Sequence, residues 1–421
     1  RTVHTGLLEY KNVYRPARVI SYDKESGELV LHNYMDFDNL KDYVKISYEL
    51  TQDGLLIGKG KLDEVSVVPH SEGKTNLQVN VPENGKCYLK LIYHLKKEMP
   101  LLEEDYILGF DEIEVSQKDA KCQLAEKWVE KTVTDSELQV SEDDTQIHIK
   151  GREFAYTIDR RTALFTEMKF AGREYLNHPM ELNIWRAPTD NDMYIKSEWK
   201  KAHYDKAYTR AYTTEVVQGK HGVKITSHAS VVAETVQKIL DVTITWKIEA
   251  AGKIDADIAV TKDDEFPDLP RFGVRMFLDK KLSAVRYFGM GPQESYCDKH
   301  QAASHGLYRA DVGDLHEDYI RPQENGSHYD CEYVELNNSR YGIVASAEKA
   351  FSFNASYYTQ EELEKKTHNY ELIESDSVVF CVDYALNGIG SNSCGPVVLD
   401  QYRFDDVLFR FQFTLIPYVK G

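Results

Sequence analysis

The stretch VTITWKI at positions 242–248 alternates strictly between apolar and polar side chains. A period of two places one side of a β-strand in a core and the other side in water. The same alternation recurs at 44–50, 254–260 and 409–415. Turn-forming residues that predict breaks between strands occur at Ser26-Gly27, Asp53-Gly54, Asn84-Gly85, Gly252 and Asn387-Gly388. The sequence therefore predicts an all-β protein built from packed sheets.

Few segments predict a helix. Ser197 can cap a helix that runs from Glu198 to about Tyr208. Thr359 and Glu362 fit a capping box for a short helix near 361–366.

Strand signals divide the chain into blocks. Residues 17–115 hold about seven short strand runs with close turns, which is typical of an immunoglobulin-like β-sandwich. Residues 116–130 are polar, lack alternation and are interpreted as a linker, whereas 131–421 predict one very large antiparallel sandwich or two packed ones. Residues 1–16 have no partner pattern, and we interpret them as the tail of a preceding domain.

Charge and cysteine content exclude several function classes. The formal net charge is −18, which makes nucleic acid and anionic membrane poor partners because both require clustered Lys and Arg. A neutral ligand such as a sugar is compatible with this charge, and so is a simple role in solubility. The six cysteines form no CxxC pair, so metal and redox sites are not expected, and a reducing cytoplasmic location is the default, although an even number also permits disulfides. No apolar stretch is long enough to span a bilayer.

Four motifs follow one another in the second half of the chain. They are NIWRAPTDND at 183–192, YFGMGPQESY at 287–296, YIRPQENG at 319–326 and GIGSNSCGP at 388–396. In this order and spacing they resemble the C-terminal region of glycoside hydrolase family 2 β-galactosidases, also known as the small chain. The resemblance covers nearly the whole chain, because 17–115 is similar in place and texture to the immunoglobulin-like domain that precedes that region.

The resemblance implies a division of labour. In the family, a (β/α)₈ barrel carries two catalytic glutamates and a magnesium site, and retaining hydrolysis needs such a pair of carboxylates about 5–5.5 Å apart. This chain would supply only the second immunoglobulin-like domain and a large super-sandwich of the galactose mutarotase type, a carbohydrate-binding type of domain. We expect no catalytic residue and no cofactor in this chain, and an inactive isolated chain. The implied partners are a galactoside such as lactose, the remaining domains or large subunit of the same enzyme, and further copies in a homo-oligomer.

The resemblance also implies site residues in the first motif. Asp190, Asn191 and Asp192 would hold the base of a loop beside the barrel mouth that shifts when sugar binds. The alternative is an Asx-rich structural turn in which Arg186 pairs with a carboxylate. Trp185 is a candidate sugar platform, because a flat aromatic ring suits the C–H surface of a sugar.

The fourth motif departs from the best-known family members. In those, a tryptophan stacks on the sugar at the position where this chain has Cys394. The loop would then line the site through Asn392 and backbone groups, and a plain hairpin loop is the alternative. Trp246 and Trp199 are two further candidate platforms. Trp246 is predicted to lie in a core, and Trp199 is predicted to lie on a short helix where it could face a partner.

The second and third motifs predict structural corners more than contacts with substrate. Gln293 and Glu294 lie among glycines and a proline, where they could satisfy buried backbone groups or line a polar pocket. Arg321 opens the third motif, in which Glu324 and Asn325 precede a glycine and predict a turn.

Two other functions are compatible with the sequence. The first is a stand-alone carbohydrate-binding module. The second is a mutarotase-like sugar epimerase that would use His328 and Glu324 for proton transfer.

Overall fold

The structure is a computed structural model that describes residues 3–124 and 138–420. These residues divide into two compact units. The first comprises the residues up to 124 together with 290–293 and 300–308, and the second comprises the others. The predicted fold class is confirmed: the chain is all-β, with an immunoglobulin-like sandwich followed by a large antiparallel sandwich. Across the described ranges, no helix has the length and apolar character needed to cross a bilayer.

The first unit contains two sheets. Its strands are β1 Ala17–Tyr22, β2 Glu28–Asn33, β3 Val44–Gln52, β4 Leu55–Lys61, β5 Glu72–Asn76, β6 Cys87–Leu95 and β7 Ile107–Glu114. Two short helices accompany them, α1 Thr5–Val13 and α2 Leu40–Tyr43. The strands are ordered β1-β2-β5 in one sheet and β4-β3-β6-β7 in the other. Alternate residues such as Leu31 and Leu89 are fully buried in the shared core, as the period-two pattern predicts.

The hairpin between β3 and β4 shows how the local sequence fixes the register. Asp53 and Gly54 have φ of 48° and 76°, a left-handed pair that matches the twist of two antiparallel strands. A Cβ atom on Gly54 would lie 2.1 Å from the backbone nitrogen of Leu307, so glycine is also required there for space. The predicted Asp53-Gly54 turn is therefore confirmed.

The N-terminal residues pack within the first unit. Asn12 of α1 donates to the carbonyl of Phe110 at 3.1 Å and accepts from its amide at 2.7 Å. Arg15 pairs with Asp111 at 2.6 Å, and both side chains are nearly buried. The sequence shows no partner pattern here because a short helix that docks through polar side chains leaves little hydrophobic periodicity. The interpretation of the N-terminal residues as the tail of a preceding domain stays a prediction.

The second unit begins with a sheet of five strands, ordered β12-β11-β10-β9-β8. These strands are β8 Gln139–Glu142, β9 Gln146–Lys150, β10 Phe154–Asp159, β11 Leu164–Phe170 and β12 Arg173–Glu174. The later strands of the chain are β13 Leu176–Asn183, β14 Tyr208–Gln218, β15 Gly222–Val232, β16 Leu240–Glu249, β17 Ile254–Lys262, β18 Arg271–Asp279, β19 Ala284–Gly291, β20 Ser304–Asp311, β21 Ser327–Asn337, β22 Tyr341–Ser356, β23 Ser377–Leu386 and β24 Leu408–Val419. The end of β19 and the first five residues of β20 belong to the first unit.

The large sheet of the second unit follows the path β13-β18-β23-β22-β24-β17-β16-β15-β14, with β21 beside β22 and β19 beside β21. Its strands pair antiparallel throughout the described registers, for example Val242 with Val260 and Ile258 with Phe411. Trp246 lies in the core: its ring contacts Phe165 edge-on at 4.9 Å, and its indole N–H donates to the carbonyl of Ala163. The core position predicted for Trp246 is confirmed.

Two helices of the second unit test the capping predictions. The hydroxyl of Thr359 accepts from the amide of Glu362 and caps α4, Gln360–Lys365, as predicted. The prediction for the other helix is wrong, because α3 spans Ile195–Lys201 and Ser197 lies inside it. The buried ring of Trp199 anchors this short helix, and the chain leaves it at His203, whose φ is +58°.

The strand break predicted at Asn387-Gly388 is confirmed, but a long loop follows it instead of a tight turn. β23 ends at Leu386 and β24 begins at Leu408, so a long loop connects them. Asn387 and Gly388 are buried in this loop, where their carbonyls accept hydrogen bonds from a side chain. Of the predicted linker, 116–124 contain no strand and 125–130 lie outside the described residues. The proposed domain boundaries stay predictions.

Candidate functional site

A buried arginine in the first motif holds the fourth motif in place. Arg186 bonds to Asp192 with Nε–Oδ2 and Nη2–Oδ1 distances of 3.1 and 2.7 Å. The same guanidinium donates to the carbonyls of Asn387 and Gly388. Neither partner of the ion pair is appreciably exposed, with side chains 0% and 4% accessible. The structural alternative, in which Arg186 pairs with a carboxylate, is what the structure shows.

Asn191 provides a second tie to the same loop. Its amide nitrogen donates to the carbonyl of Gly390 at 2.6 Å, and its oxygen accepts from the hydroxyl of Ser393 at 2.9 Å. Asp298, just beyond the second motif, holds the loop from another direction. Its carboxylate accepts from the amides of Ile389 and Gly390 at 2.9 and 2.7 Å. The loop that starts at Asn387 is thus fixed by side chains distant in sequence.

The third motif packs against the first. The amide of Glu324 donates to the carbonyl of Ala187 at 2.9 Å. The side chain of Gln323 accepts from the amide of Asp190 at 3.1 Å and lies 3.3 Å from its carboxylate. Asn325 is buried and donates to the carbonyl of Gln323 at 2.9 Å. These hydrogen bonds hold the third motif in contact with Asp190 of the first motif.

The turn predicted in the third motif is confirmed at Gly326, which has a φ of +71°. Glu324, two residues earlier, is buried and accepts from Arg271 at 3.3 Å. Arg271 also pairs with Asp383 at 2.5 Å, and both of these side chains are inaccessible. Burial raises the pKa of the Glu324 and Asp383 carboxyls, and the positive charge of Arg271 opposes that rise. Two carboxylates around one arginine are therefore a structural charge cluster under the site.

Glu294 of the second motif forms its own buried cluster. Its carboxylate pairs with Lys299 at 2.5 Å, accepts from the hydroxyl of Tyr319, and accepts from the amide of Gly326 at 2.8 Å. Burial alone would raise the pKa of Glu294, but Lys299 and these donors lower it below its ordinary value. Burial also raises the pKa of the Tyr319 hydroxyl to about 12, and Glu294 adds to that rise. Glu294 thus satisfies a buried backbone donor.

These motifs border an open cleft of about 710 Å³, which we name the motif cleft. Its lining comes from three of the four motifs and from two helices. The lining residues are Pro188, Thr189, Asp190, Met193, Lys196, Ser197, Lys200, Arg321, Pro322, Glu364 and Ser393. Asp190 and Arg321 are exposed there and offer a carboxylate acceptor and guanidinium donors. The volume lies in the range of small-molecule sites, and the polar lining suits a ligand with many hydroxyl groups.

The remaining candidate site residues differ in how much of each is exposed to solvent. Asn392 is half-buried and Cys394 is exposed on the loop on either side of Ser393. Gln293 is half-buried and belongs to the first unit. The prediction that Trp185 offers a platform for a sugar is wrong, because this side chain is only 4% exposed. Its ring contacts Trp199 edge-on at 6.2 Å.

Trp199 does not face a partner either. It is fully buried, and its indole N–H donates to the carbonyl of Asp268 at 2.9 Å. Both tryptophans stiffen the segment that carries the first motif, so their role is to support the cleft rather than to line it.

Several residues of the cleft were missed from the sequence. Lys196 and Lys200 are four residues apart, so they share one face of α3, but the helix was expected to begin only after Ser197. Lys200 pairs with Glu364 across the cleft lining. Asp298 follows the second motif directly, and a carboxylate beside glycine-rich loops was a usable signal for an amide acceptor. In 3–124 and 138–420, no group of three His, Cys, Asp or Glu side chains is placed to hold a metal ion.

Comparison with known families matches most of the chain. Residues 150–415 match the family described as beta galactosidase small chain, and 29–116 match the one described as beta-galactosidase, domain 4. The chain belongs to the β-galactosidase small chain family. Relatives of this small chain include the β-galactosidase of Actinobacillus pleuropneumoniae, 42% identical over 418 residues and 99% of the chain. That of Staphylococcus xylosus is 30% identical over 421 residues, again 99% of the chain.

The small chain spans only about 40% of the length of these relatives, 40% of the first and 41% of the second. Among solved structures, a galactose 1-epimerase from Lactobacillus acidophilus NCFM matches 69% of the chain and all of its own, with 9% identity and a TM-score of 0.37. A likeness this weak supports no statement about the small chain.

Proposed function

We propose that this chain is the C-terminal part of a glycoside hydrolase family 2 β-galactosidase that hydrolyses terminal non-reducing β-D-galactosides such as lactose. Its part is to shape the mouth of the active site and to support the barrel that carries the catalytic glutamates. The observation that carries the proposal is the bond of Asn191 to Gly390 and Ser393, which fixes two loops of the small-chain family at one cleft. Support also comes from relatives named β-galactosidase that extend far beyond this chain.

The engaged state of the carboxylates supports a non-catalytic role. Retaining hydrolysis needs one free nucleophilic carboxylate and one acid/base carboxyl, about 5–5.5 Å apart. Asp190 is exposed in the motif cleft, but a retaining mechanism needs a second carboxyl beside it. Other carboxylates of the site are engaged: Asp192 by Arg186, Glu324 by Arg271, Glu364 by Lys200, and Asp298 by two backbone amides. Carboxylates neutralised in this way are poor nucleophiles and poor proton donors. We therefore infer that the isolated chain is inactive.

The same proposal names partners and location. The remaining domains of the enzyme would bind this chain and supply the magnesium site, and the intact enzyme would be a homo-oligomer. Asp190, Asn191 and Asp192 would hold the base of a loop that shifts on sugar binding, with Asn392 and Cys394 beside it. A cytoplasmic location is proposed because all six cysteines are free thiols, which a reducing compartment preserves.

The test measures hydrolysis of a chromogenic β-galactoside. The purified chain, free of host enzyme, should show none, and addition or co-expression of the complementary N-terminal part should give activity. In the complete enzyme, Asn191→Ala should change KM or kcat, whereas Asn84→Ala, at an exposed position of the first unit, should not. Hydrolysis by the chain alone would contradict its supporting role, and an active enzyme indifferent to Asn191→Ala would contradict the loop assignment.

An epimerase is the less supported alternative. It would need His328 and Glu324 to reach a sugar, but His328 is 1% exposed and stacks on Phe353 at 5.0 Å. Glu324 is 4% exposed beneath Arg271. Polarimetry of α-galactose with the chain tests this function, and accelerated mutarotation would revive it. A stand-alone binding module predicts tight galactose or lactose binding by the isolated chain at the motif cleft, which calorimetry on the chain and on Arg321→Ala measures.

A further inference from the structure

The large sheet of the second unit splits where β22 changes partners. Tyr341–Ser346, the first part of β22, pairs with the end of β24, from Thr414 to Val419. Along the same edge of β22, the last part of the strand, Ser352–Ser356, pairs with β23. The earlier part of β24 pairs with β17 along its other edge and has no register with β22 before Thr414. β23 and β24 therefore diverge from the middle of β22 and leave a wedge-shaped gap in the sheet.

A cleft of about 450 Å³, which we name the fork cleft, occupies this gap. The described residues that line it are Tyr296, Cys297, Ser327, Tyr329, Asp330, Glu348, Lys349, Ala350, Phe351, Ser352, Tyr384, Ala385, Leu386, Gln401, Tyr402, Arg403, Phe404, Asp406, Arg410, Phe411 and Gln412. None of them lines the motif cleft, so the two clefts are separate places on the second unit.

The fork cleft is rich in aromatic rings. Seven of its twenty-one lining residues, or one third, are Tyr or Phe, whereas aromatic residues make up 11% of the whole chain. Tyr384 stacks on Phe409 at 4.8 Å with an interplanar angle of 16°, and Phe411 lies 6.1 Å from it. This packing holds the Tyr384 ring in one orientation before any ligand arrives, which reduces the entropy lost on binding.

The polar groups of the fork cleft balance in charge. Three lining residues are acidic, namely Asp330, Glu348 and Asp406, and three are basic, namely Lys349, Arg403 and Arg410. Two of the basic groups are fixed by carboxylates: Arg403 is held by Asp268 at 2.8 and 3.1 Å, and Arg410 by Asp257. Because Asp268 and Asp257 already neutralise these two guanidinium groups, the cleft offers little positive charge to an anion, and its hydrogen-bonding groups suit an uncharged ligand.

We propose that the fork cleft binds a neutral saccharide, at a site distinct from the motif cleft. Aromatic faces would stack on the C–H surface of a sugar ring, and the fixed guanidinium, carboxylate and amide groups would bond to its hydroxyls. The volume lies within the range of small-molecule sites, above the lower end of about 300 Å³. The site stands independently of the proposed hydrolase role, because it depends only on the described fork of the sheet.

The experiment measures lactose binding to the purified 421-residue chain by saturation-transfer NMR and calorimetry. Tyr402→Ala and Gln412→Ala each remove a side chain at the cleft without touching the packed ring of Tyr384. Each should weaken lactose binding, by about tenfold for Tyr402→Ala. Tyr212→Ala, which removes an exposed ring on β14, is the matched control and should leave binding unchanged. Circular dichroism confirms that each variant is folded.

A third variant separates this site from the motif cleft. In Arg321→Ala, the lactose binding that depends on Tyr402 and Gln412 should persist. Loss of binding in Arg321→Ala with retention in Tyr402→Ala would overturn the proposal, because the sugar would then occupy the motif cleft. Three other results would overturn it as well: no saturable binding of lactose, cellobiose or maltose, binding that survives both fork-cleft variants, and a preference for galacturonic acid over galactose.

Discussion

Arg186 and Asp192 form a two-point ion pair that is closed to solvent, and the same arginine reaches the carbonyls of Asn387 and Gly388 some 200 residues later, with sequence separations of 201 and 202. One side chain thus binds the carboxylate of a nearby turn and two backbone carbonyls of a distant loop. The guanidinium offers five N–H donors in a fixed plane, a geometry that lysine lacks. The organisation of the motif cleft depends on this arginine.

Removal of the carboxylate should be costly. Asp192→Ala leaves a buried positive charge without its partner, and we expect the free energy of unfolding to fall by about 3–5 kcal/mol. Urea denaturation measures this change. The control is Glu198→Ala, which breaks an exposed pair with Lys201 and should cost no more than about 1 kcal/mol. Equal effects of the two substitutions would contradict a buried pair.

Asn191→Ala should loosen the loop without unfolding the unit. It removes three hydrogen bonds, one to the carbonyl of Gly390 and two from the hydroxyl and amide of Ser393. At about 1 kcal/mol for each of the two shorter bonds, the local opening free energy of the loop should fall by about 2 kcal/mol. Hydrogen exchange should accelerate at the amides of 389–395, while the core amides of β16 keep their protection. Asn84→Ala serves as the control, and unchanged exchange in the loop would show that Asn191 does not hold it.

The glycine at the end of the third motif should resist replacement. Gly326 has a φ of +71°, and a Cβ atom there would lie 2.5 Å from the carbonyl oxygen of Leu315. Gly172 has a φ of +74° with nothing within 4 Å, so it isolates the conformational cost of about 1–2 kcal/mol. Gly326→Ala should destabilise the protein more than Gly172→Ala by about 2 kcal/mol. Equal losses in thermal or urea unfolding would show that the close approach is unimportant.

Acid should weaken the Glu294 cluster. The pKa of Glu294 is lower in the folded protein than its ordinary value of 4.5, so the unfolded chain takes up a proton first as pH falls. Its contribution to stability is therefore complete above about pH 4.5 and is lost as pH falls through the folded value. In Glu294→Gln, unfolding free energy measured from pH 6 to pH 3 should depend less on pH than in the parent. A steeper dependence would reverse the assigned direction.

Thiol chemistry should single out one cysteine. Cys394 is exposed, whereas Cys87, Cys122, Cys331 and Cys381 are buried and Cys297 is half-buried. Burial raises the pKa of the Cys297 and Cys381 thiols to about 12, which leaves them protonated and unreactive at neutral pH. Maleimide labelling of the native chain should modify Cys394 first, as peptide mass spectrometry detects. Cys394→Ser should abolish this fast phase.

In the complete enzyme, the same label tests the position of the loop. If Cys394 borders the galactoside site, labelling should lower hydrolysis and a competing galactoside should slow the labelling. Full activity after complete modification would place Cys394 away from the substrate.

Local chemistry explains what the sequence could predict. The alternation at 242–248 predicts strand β16, the pair Asp53-Gly54 predicts a hairpin, and Thr359 predicts a cap, because each depends on neighbouring residues alone. The pairing of Arg186 with a nearby carboxylate was also within reach, since Asp192 is only six positions away. The resemblance added the order of the motifs, which none of these local signals contains.

Long-range geometry accounts for the failures. Trp185 and Trp199 were candidates for exposed faces, but their burial depends on how α3 packs, which no local pattern states. Asn387-Gly388 has turn chemistry, yet the loop uses its carbonyls as acceptors for a distant arginine. The sequence did not predict the fork of the sheet either. The alternation in β22 does not show that the two halves of this strand pair with different strands.

The separation between Arg186 and its carbonyl acceptors has a consequence for biosynthesis. A ribosome that adds about 5–20 residues per second needs about 10–40 seconds to make the 201 residues between Arg186 and Asn387. Throughout that interval the nascent chain holds an arginine whose carbonyl acceptors at Asn387 and Gly388 have not yet been made, so the motif cleft is among the last features to form. A chaperone that shields the unfinished sheet should raise the yield of folded protein, and a message truncated before the codon for Asn387 should yield a polypeptide that proteases remove.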